Sequence, residues 1–187
     1  MSKIDTKRPN DTFATADKKS IAGIIEFKTP SIKDASELSE LESICFPPNE
    51  ACSPEMVKKR LEAMPELWLC AVDKESKLTA GFICGYASNR ERIEDDMFED
   101  TALYEPEGKN IMILGVEVRP EYRGRGIAKA LMEEYKERMK ASSREKLVLT
   151  CHDRLIGFYG SMGFKDLGVS DSVWGGETWY DMEYILK

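Results

Sequence analysis

The sequence predicts one α/β domain, and three observations predict it. An apolar run, Ile111–Val118, reads as a buried strand that passes through Pro120 and the turn Arg123-Gly-Arg-Gly126 into a helical pattern opening at Ile127. Further short apolar runs alternate with amphipathic stretches along the chain. The 187 residues are 42% hydrophobic and 33% charged, enough for one real core and ordinary for a globular chain.

Residues 1–22 are polar and charged and read as a mobile tail, with the domain running from 23 to 187. Ile24-Ile-Glu-Phe-Lys28 alternates as a first strand. Ser31 can cap a helix over 32–45 that turns Leu38, Leu41 and Cys45 to one side. Two prolines stiffen the loop Phe46-Pro-Pro-Asn-Glu-Ala-Cys52. Ser53-Pro54 is an N-cap followed by proline at the first helical position, and that helix ends before Pro65. Runs 67–72 and 78–87 read as a hairpin. Residues 88–109 form an acidic excursion, long for a plain connection. After the glycine turn, Ile127, Leu131, Tyr135 and Met139 recur at four-residue spacing on one helix face. A buried strand over 147–151, a short helix over 155–162 closed by Gly163, and strands over 164–169 and 177–186 complete the chain.

Composition removes several functions. The net charge of −7 disfavours nucleic acid, which needs a basic face. It favours cationic substrates through long-range attraction. Apolar runs are far below a membrane span, and no signal-type apolar segment is read at the N-terminus. The five cysteines include no Cys-x-x-Cys, so neither a metal site nor a disulfide framework is indicated and a reducing cytoplasm is expected.

The turn carries chemistry. Gly124 and Gly126 permit positive φ and close approach of backbone to a ligand. The first N–H groups of the helix have no intrahelical partner, so with the helix dipole they suit an anion such as phosphate. Arg123 and Arg125 add positive charge. A lone Gly-x-Gly is equally an ordinary strand-to-helix turn. It is not a Walker loop, because no Gly-Lys-Ser/Thr follows, and Lys129 stands where a dinucleotide fingerprint needs its third glycine.

The longer string Val118-Arg-Pro-Glu-Tyr-Arg-Gly-Arg-Gly-Ile-Ala128 resembles the acetyl-CoA-binding motif of the GNAT acetyltransferase superfamily. His152-Asp-Arg-Leu-Ile-Gly-Phe-Tyr159 with Gly163-Phe164 resembles that family's element after the fifth strand, with His152 at the usual Asn position and Tyr159 at the family tyrosine. Phe46–Ala51, Asn89–Ile93 and Trp174–Tyr180 resemble the arylalkylamine branch, the relatives of serotonin acetyltransferase, including polyamine acetyltransferase-like members. The resemblance implies a mixed, mostly antiparallel twisted sheet of about seven strands flanked by helices. It implies acetyl-CoA as cosubstrate and no metal. Arg123, Gly124, Arg125, Gly126, Ile127 and Ala128 would hold the pyrophosphate, and Val116 and Val118 the pantetheine amides through backbone. One departure matters: the two strand histidines of the vertebrate branch align with Met112 and Leu114, which cannot accept a proton.

Acetyl transfer to an alkylamine asks for a base, since an ammonium of pKa about 10.4 leaves only about one part in a thousand nucleophilic near neutrality. Leaving-group protonation is implied for Tyr159. Glu50 matches a loop glutamate of insect members; a solvated loop carboxylate is the bland alternative. His152 is the only histidine and the side chain type that titrates near neutrality, or else it only replaces a structural Asn. Glu117 is a third candidate on the central strand, facing away from Val116 and Val118. Cys151 ends a buried strand and reads as core rather than nucleophile. The Tyr/Trp pairs near the C-terminus would pack in the core or line an amine pocket, and the acidic stretch 94–100 reads as a solvated face. The expectation is direct acetyl transfer in a ternary complex to a small cationic amine, an arylalkylamine or polyamine, by a monomer or homodimer. A protein lysine or N-terminal acetyltransferase, and a silent CoA-binding regulatory module, are the alternatives.

Overall fold

The computed structural model describes residues 18–186. Helix α1 (Lys18–Ile24) leads into β1 (Ile25–Lys28). The tail read from the sequence therefore ends before residue 22, because Ile21 is buried against the core; residues 1–17 lie outside the described residues. Ser31 opens the next segment with a capping box, its own N–H donating to Asp34 Oδ2 at 2.7 Å. A 3-10 turn, Ile32–Asp34, precedes α2 (Ala35–Cys45), so the expected helix starts as a tighter turn. Ser53 Oγ accepts from the Met56 N–H at 3.2 Å and starts α3 (Pro54–Ala63). The hairpin is β2 (Trp68–Asp73) and β3 (Thr79–Ser88). The excursion holds a single α-helical turn, α4 (Asp96–Glu99), and a 3-10 turn, Thr101–Leu103. Then follow β4 (Asn110–Val118), α5 (Ile127–Ala141) and β5 (Lys146–Cys151). The expected helix over 155–162 is a 3-10 turn, Asp153–Leu155, running into a short α6 (Ile156–Gly160). It stops there because the Met162 and Phe164 N–H groups both bond to the Tyr159 carbonyl, with Gly163 at φ 87°. Strands β6 (Lys165–Val169) and β7 (Tyr180–Ile185) close the chain.

Among the described residues seven strands form one sheet in the order β1-β2-β3-β4-β5-β7-β6. Every neighbouring pair is antiparallel except β4 and β5, which run parallel. One face packs on α5 through Ile127, Leu131, Tyr135 and Met139, all buried as their spacing predicts. The other face packs on α2 and α3, where Leu38, Leu41, Val57 and Leu61 meet Trp68 and Phe82. Each fully buried leucine contributes about 1.5–3 kcal/mol, so these two layers fix the sheet between helices.

Two features of β4 shape the site. Its pairing with β5 ends at Ile113↔Leu149, after which the strands separate. In its pairing with β3, Gly115 faces Cys84 while Ile113 faces Gly85, leaving Leu114 as an extra, bulged residue. A bulge bends the strand that carries it. The residues from Leu114 to Val118 thus keep β3 on one side and, among the described residues, have no strand on the other.

Candidate active site

That open edge is one wall of a cleft of about 1410 Å³. The Arg119 N–H donates to Ala80 across β3, so by strand alternation the polar groups of Val118 and Val116 face the cleft. The Val118 carbonyl there accepts from Arg123 Nε at 3.0 Å. The same arginine reaches Cys45 Sγ at 3.7 Å, tying the end of β4 to the end of α2.

The helix start behaves as the turn chemistry predicts. Gly126 is the N-cap of α5 at φ 80°, and Gly124 has φ 73°. Both lie in the left-handed region that glycine tolerates. The Ala130 N–H makes the helix's bond back to Gly126 O at 3.0 Å, so the N–H groups of residues 127–129 have no intrahelical acceptor. Apart from its chain neighbours, no described residue has an atom within 4 Å of where a Gly124 Cβ would sit, so the loop offers bare backbone. This cradle fits a diphosphate. Arg123, Gly124, Gly126, Ile127 and Ala128 line the cleft. Arg125 is not on that wall; its guanidinium carbon sits 5.3 Å above the Tyr122 ring.

The three catalytic candidates meet in the same cleft. Tyr159 is placed by α6 and buried, and burial pushes its phenol above the usual range, with the nearby Cys151 and Glu117 adding to it. Its hydroxyl therefore keeps its proton. His152 follows β5 and stacks on Trp179, ring centroids 4.4 Å apart. Its Nε2 lies 3.4 Å from Glu50 Oε2. The Glu50 loop is pinned from across the cleft: Trp174 Nε1 donates to the Glu50 carbonyl at 3.0 Å, and Asn49 Nδ2 to Gly175 O at 2.8 Å. Trp179 Nε1 in turn donates to the Trp174 carbonyl at 2.9 Å, and Trp174 stacks on Phe98 at 4.7 Å. The C-terminal tryptophans thus line the cleft.

The acidic excursion does more than present a solvated face. Asp95 accepts from the Val173 N–H at 3.1 Å, and Arg92 pairs with the buried Asp181 on β7. Phe98 thereby closes one side of the cleft, while Glu94 and Asp96 remain exposed.

Sequence reasoning passed over Glu42 and Arg60 and offered Glu117 only as a third candidate base; all three line the cleft. Glu117 is 1% exposed, and no N–H or O–H donor reaches either carboxyl oxygen among the described residues. Burial first, then the neighbouring Glu42 charge, hold its carboxyl well above the usual range. Glu42, also buried and also raised by burial, accepts from the Cys52 N–H at 2.8 Å. Arg60 donates to the Phe98 carbonyl at 2.8 Å. Gly115 makes room for the arrangement: a Cβ there would lie 2.3 Å from Glu117 Oε1. The signal was available, since Glu42 interrupts the Leu38–Leu41–Cys45 stripe and Arg60 the Val57–Leu61 stripe.

Cys151 is buried, and burial pushes its thiol up to about 12, which suits core packing and not nucleophilic attack. Among the described residues no group of three or more His, Cys, Asp or Glu is placed to hold a metal ion. Nor is any described helix long and apolar enough to cross a membrane.

Comparison with known proteins agrees with this geometry. The chain is 26% identical over 166 residues to serotonin N-acetyltransferase of Mesocricetus auratus, covering 87% of this chain and 78% of that one. Its fold matches the loading GNATL domain of CurA from Lyngbya majuscula with a TM-score of 0.75 at 16% identity, covering 87% and 98% of the two chains. It also matches a phosphinothricin acetyltransferase from Sinorhizobium meliloti in complex with AcCoA, with a TM-score of 0.62 at 19% identity and coverage of 87% and 88%. The model of the acetyltransferase (GNAT) family matches residues 35–164. A sheet opened between β4 and β5, a glycine-capped helix at its mouth and this match over most of the sequence lead to one conclusion: the chain belongs to the acetyltransferase (GNAT) family.

Proposed function

We propose that this enzyme transfers the acetyl group of acetyl-CoA directly to a small primary amine, as a member of the arylalkylamine branch or its polyamine-acetylating relatives. One observation carries the reading: the diphosphate cradle at Gly126, the open backbone edge of β4, the Tyr159 hydroxyl and the Glu50–His152 pair line a single cleft. Acetyl-CoA, when bound, supplies the activated thioester. The chain's residues do the rest. The cradle and the Val116 edge orient the donor. Glu50 and His152 take the proton that turns the arriving ammonium into a nucleophilic amine and pass it to solvent. The second proton, lost as the amide forms, leaves by the same route and balances, through solvent, the one that Tyr159 gives up and regains. Tyr159 gives its proton to the sulfur as the carbon–sulfur bond breaks. The tryptophan-lined wall suits the apolar part of an amine. The free state of all five cysteines supports a reducing compartment, the cytoplasm.

The test is CoA release with acetyl-CoA and a panel of arylalkylamines, polyamines and lysine peptides. The proposal predicts release with small amines. Release with peptides alone would favour a protein acetyltransferase, and binding of acetyl-CoA without release from any of them would make the chain a regulatory CoA binder.

A further inference from the structure

The mechanism above leaves Glu42, Glu117 and Arg60 without a task, yet all three line the cleft. Glu117 is the most anomalous group among them. A buried carboxyl with no donor is costly to ionise, because desolvation is not compensated. The Glu42 carboxyl lies against it, so a proton held on Glu117 and shared with Glu42 is the hydrogen bond open to the pair. With that proton the pair carries one negative charge, matched by the Arg60 guanidinium, whose charge acts on Glu42. Arg60 is itself engaged with the Phe98 carbonyl.

We propose that the Glu42–Glu117 pair is a second cation-recognition subsite, so that the preferred acceptor carries a second positively charged nitrogen besides the one that is acetylated. This deepens the reading of the cleft as an amine-acceptor site and rests on it. The charges close on this assignment. When the distal ammonium arrives, the Glu117 carboxyl releases its proton to solvent. Two carboxylates then face two cations, the ammonium and Arg60. An ammonium brings three N–H donors, which an acceptor-only carboxylate lacking any donor can use. Gly115 keeps this position open, since any side chain there would meet the Glu117 carboxyl.

The experiment compares kcat/KM for 1,4-diaminobutane and butylamine, which share a chain length and differ in the distal nitrogen, with tryptamine as an aryl-tailed amine. The wild type should prefer the diamine over butylamine by about ten- to a hundredfold, the usual range for hydrogen bonds to a charged group. Glu117→Gln should bring that ratio to within about threefold of unity. Glu42→Gln, read through the same ratio, serves if the first variant folds poorly. A wild-type ratio near one, a ratio that both variants leave intact, or a preference for tryptamine over the diamine would overturn the subsite while leaving amine acetylation standing. Absence of turnover with every amine would overturn the transferase reading and the subsite with it.

Discussion

Glu50 and His152 are separated by 102 residues in sequence, and the fold brings Glu50 Oε2 to 3.4 Å from His152 Nε2. The sequence offers them as rival bases; the structure makes them neighbours. A carboxylate that orients an imidazole through its ring N–H is a device for fixing which nitrogen faces the substrate.

If they act as a unit, their losses do not add. Glu50→Gln and His152→Asn should each lower kcat/KM for the amine by about a hundredfold, the low end for general-base catalysis. The double mutant should fall no more than about threefold below the worse single mutant. A double-mutant cycle in initial rates checks this; losses that multiply would show two independent roles.

Trp174 should act through Glu50. Trp174→Phe keeps a ring against Phe98 and removes the N–H that donates to the Glu50 carbonyl at 3.0 Å. The expected outcome is a stability loss of about 1 kcal/mol in urea unfolding, with a raised KM for the amine. An unchanged KM would mean that the 46–52 loop holds its place without the tryptophan.

Glu117 makes a prediction about pH. Its folded carboxyl titrates well above 4.5 through burial, while the unfolded carboxyl stays near that value. The native state therefore holds the proton more tightly. The stability this contributes is fully present below about 4.5 and is lost as pH rises through the folded value. Glu117→Gln stays neutral throughout, and its amide can donate to Glu42. The urea midpoint of the wild type should fall relative to this mutant as pH rises from 4.5. A constant difference between the two across that range would show that Glu117 does not gain a proton on folding.

The layout of strands and helices was legible because it is written in local terms. Periodicity gave the face of α5, and Ser31, Ser53 and Gly126 marked helix starts by chemistry that acts within a few residues. The glycine turn before α5, which we propose holds the diphosphate, is legible for the same reason. The acceptor end is not. Glu42 and Glu117 meet only because α2 packs across β4, and Glu50 reaches His152 only because the loops at 46–52 and 172–179 interlock. Such pairings depend on tertiary packing, which sequence spacing does not encode. The bulge at Leu114, which bends β4 where its pairing with β5 ends, has no marker in the sequence that we can name.

The cradle itself can be tested by ligand-linked stability. Acetyl-CoA should raise the thermal midpoint of the wild type by mass action, about 2.7 kcal/mol of stabilisation at a hundredfold excess over Kd. Gly126→Asp should abolish the shift, since it places a negative side chain at the helix start and strains a left-handed position at φ 80°. A full shift in the mutant would put the phosphate site elsewhere.

In the proposed mechanism acetyl passes from thioester to amine beside Tyr159, whose hydroxyl holds a proton for the departing sulfur. The most direct measurement is single-turnover acetyl transfer by Tyr159→Phe, with acetyl-CoA affinity determined in parallel. The predicted result is a transfer rate lowered by about a hundredfold, the low end for general-acid catalysis, with acetyl-CoA affinity unchanged. A wild-type transfer rate in that mutant, measured where chemistry limits turnover, would contradict it.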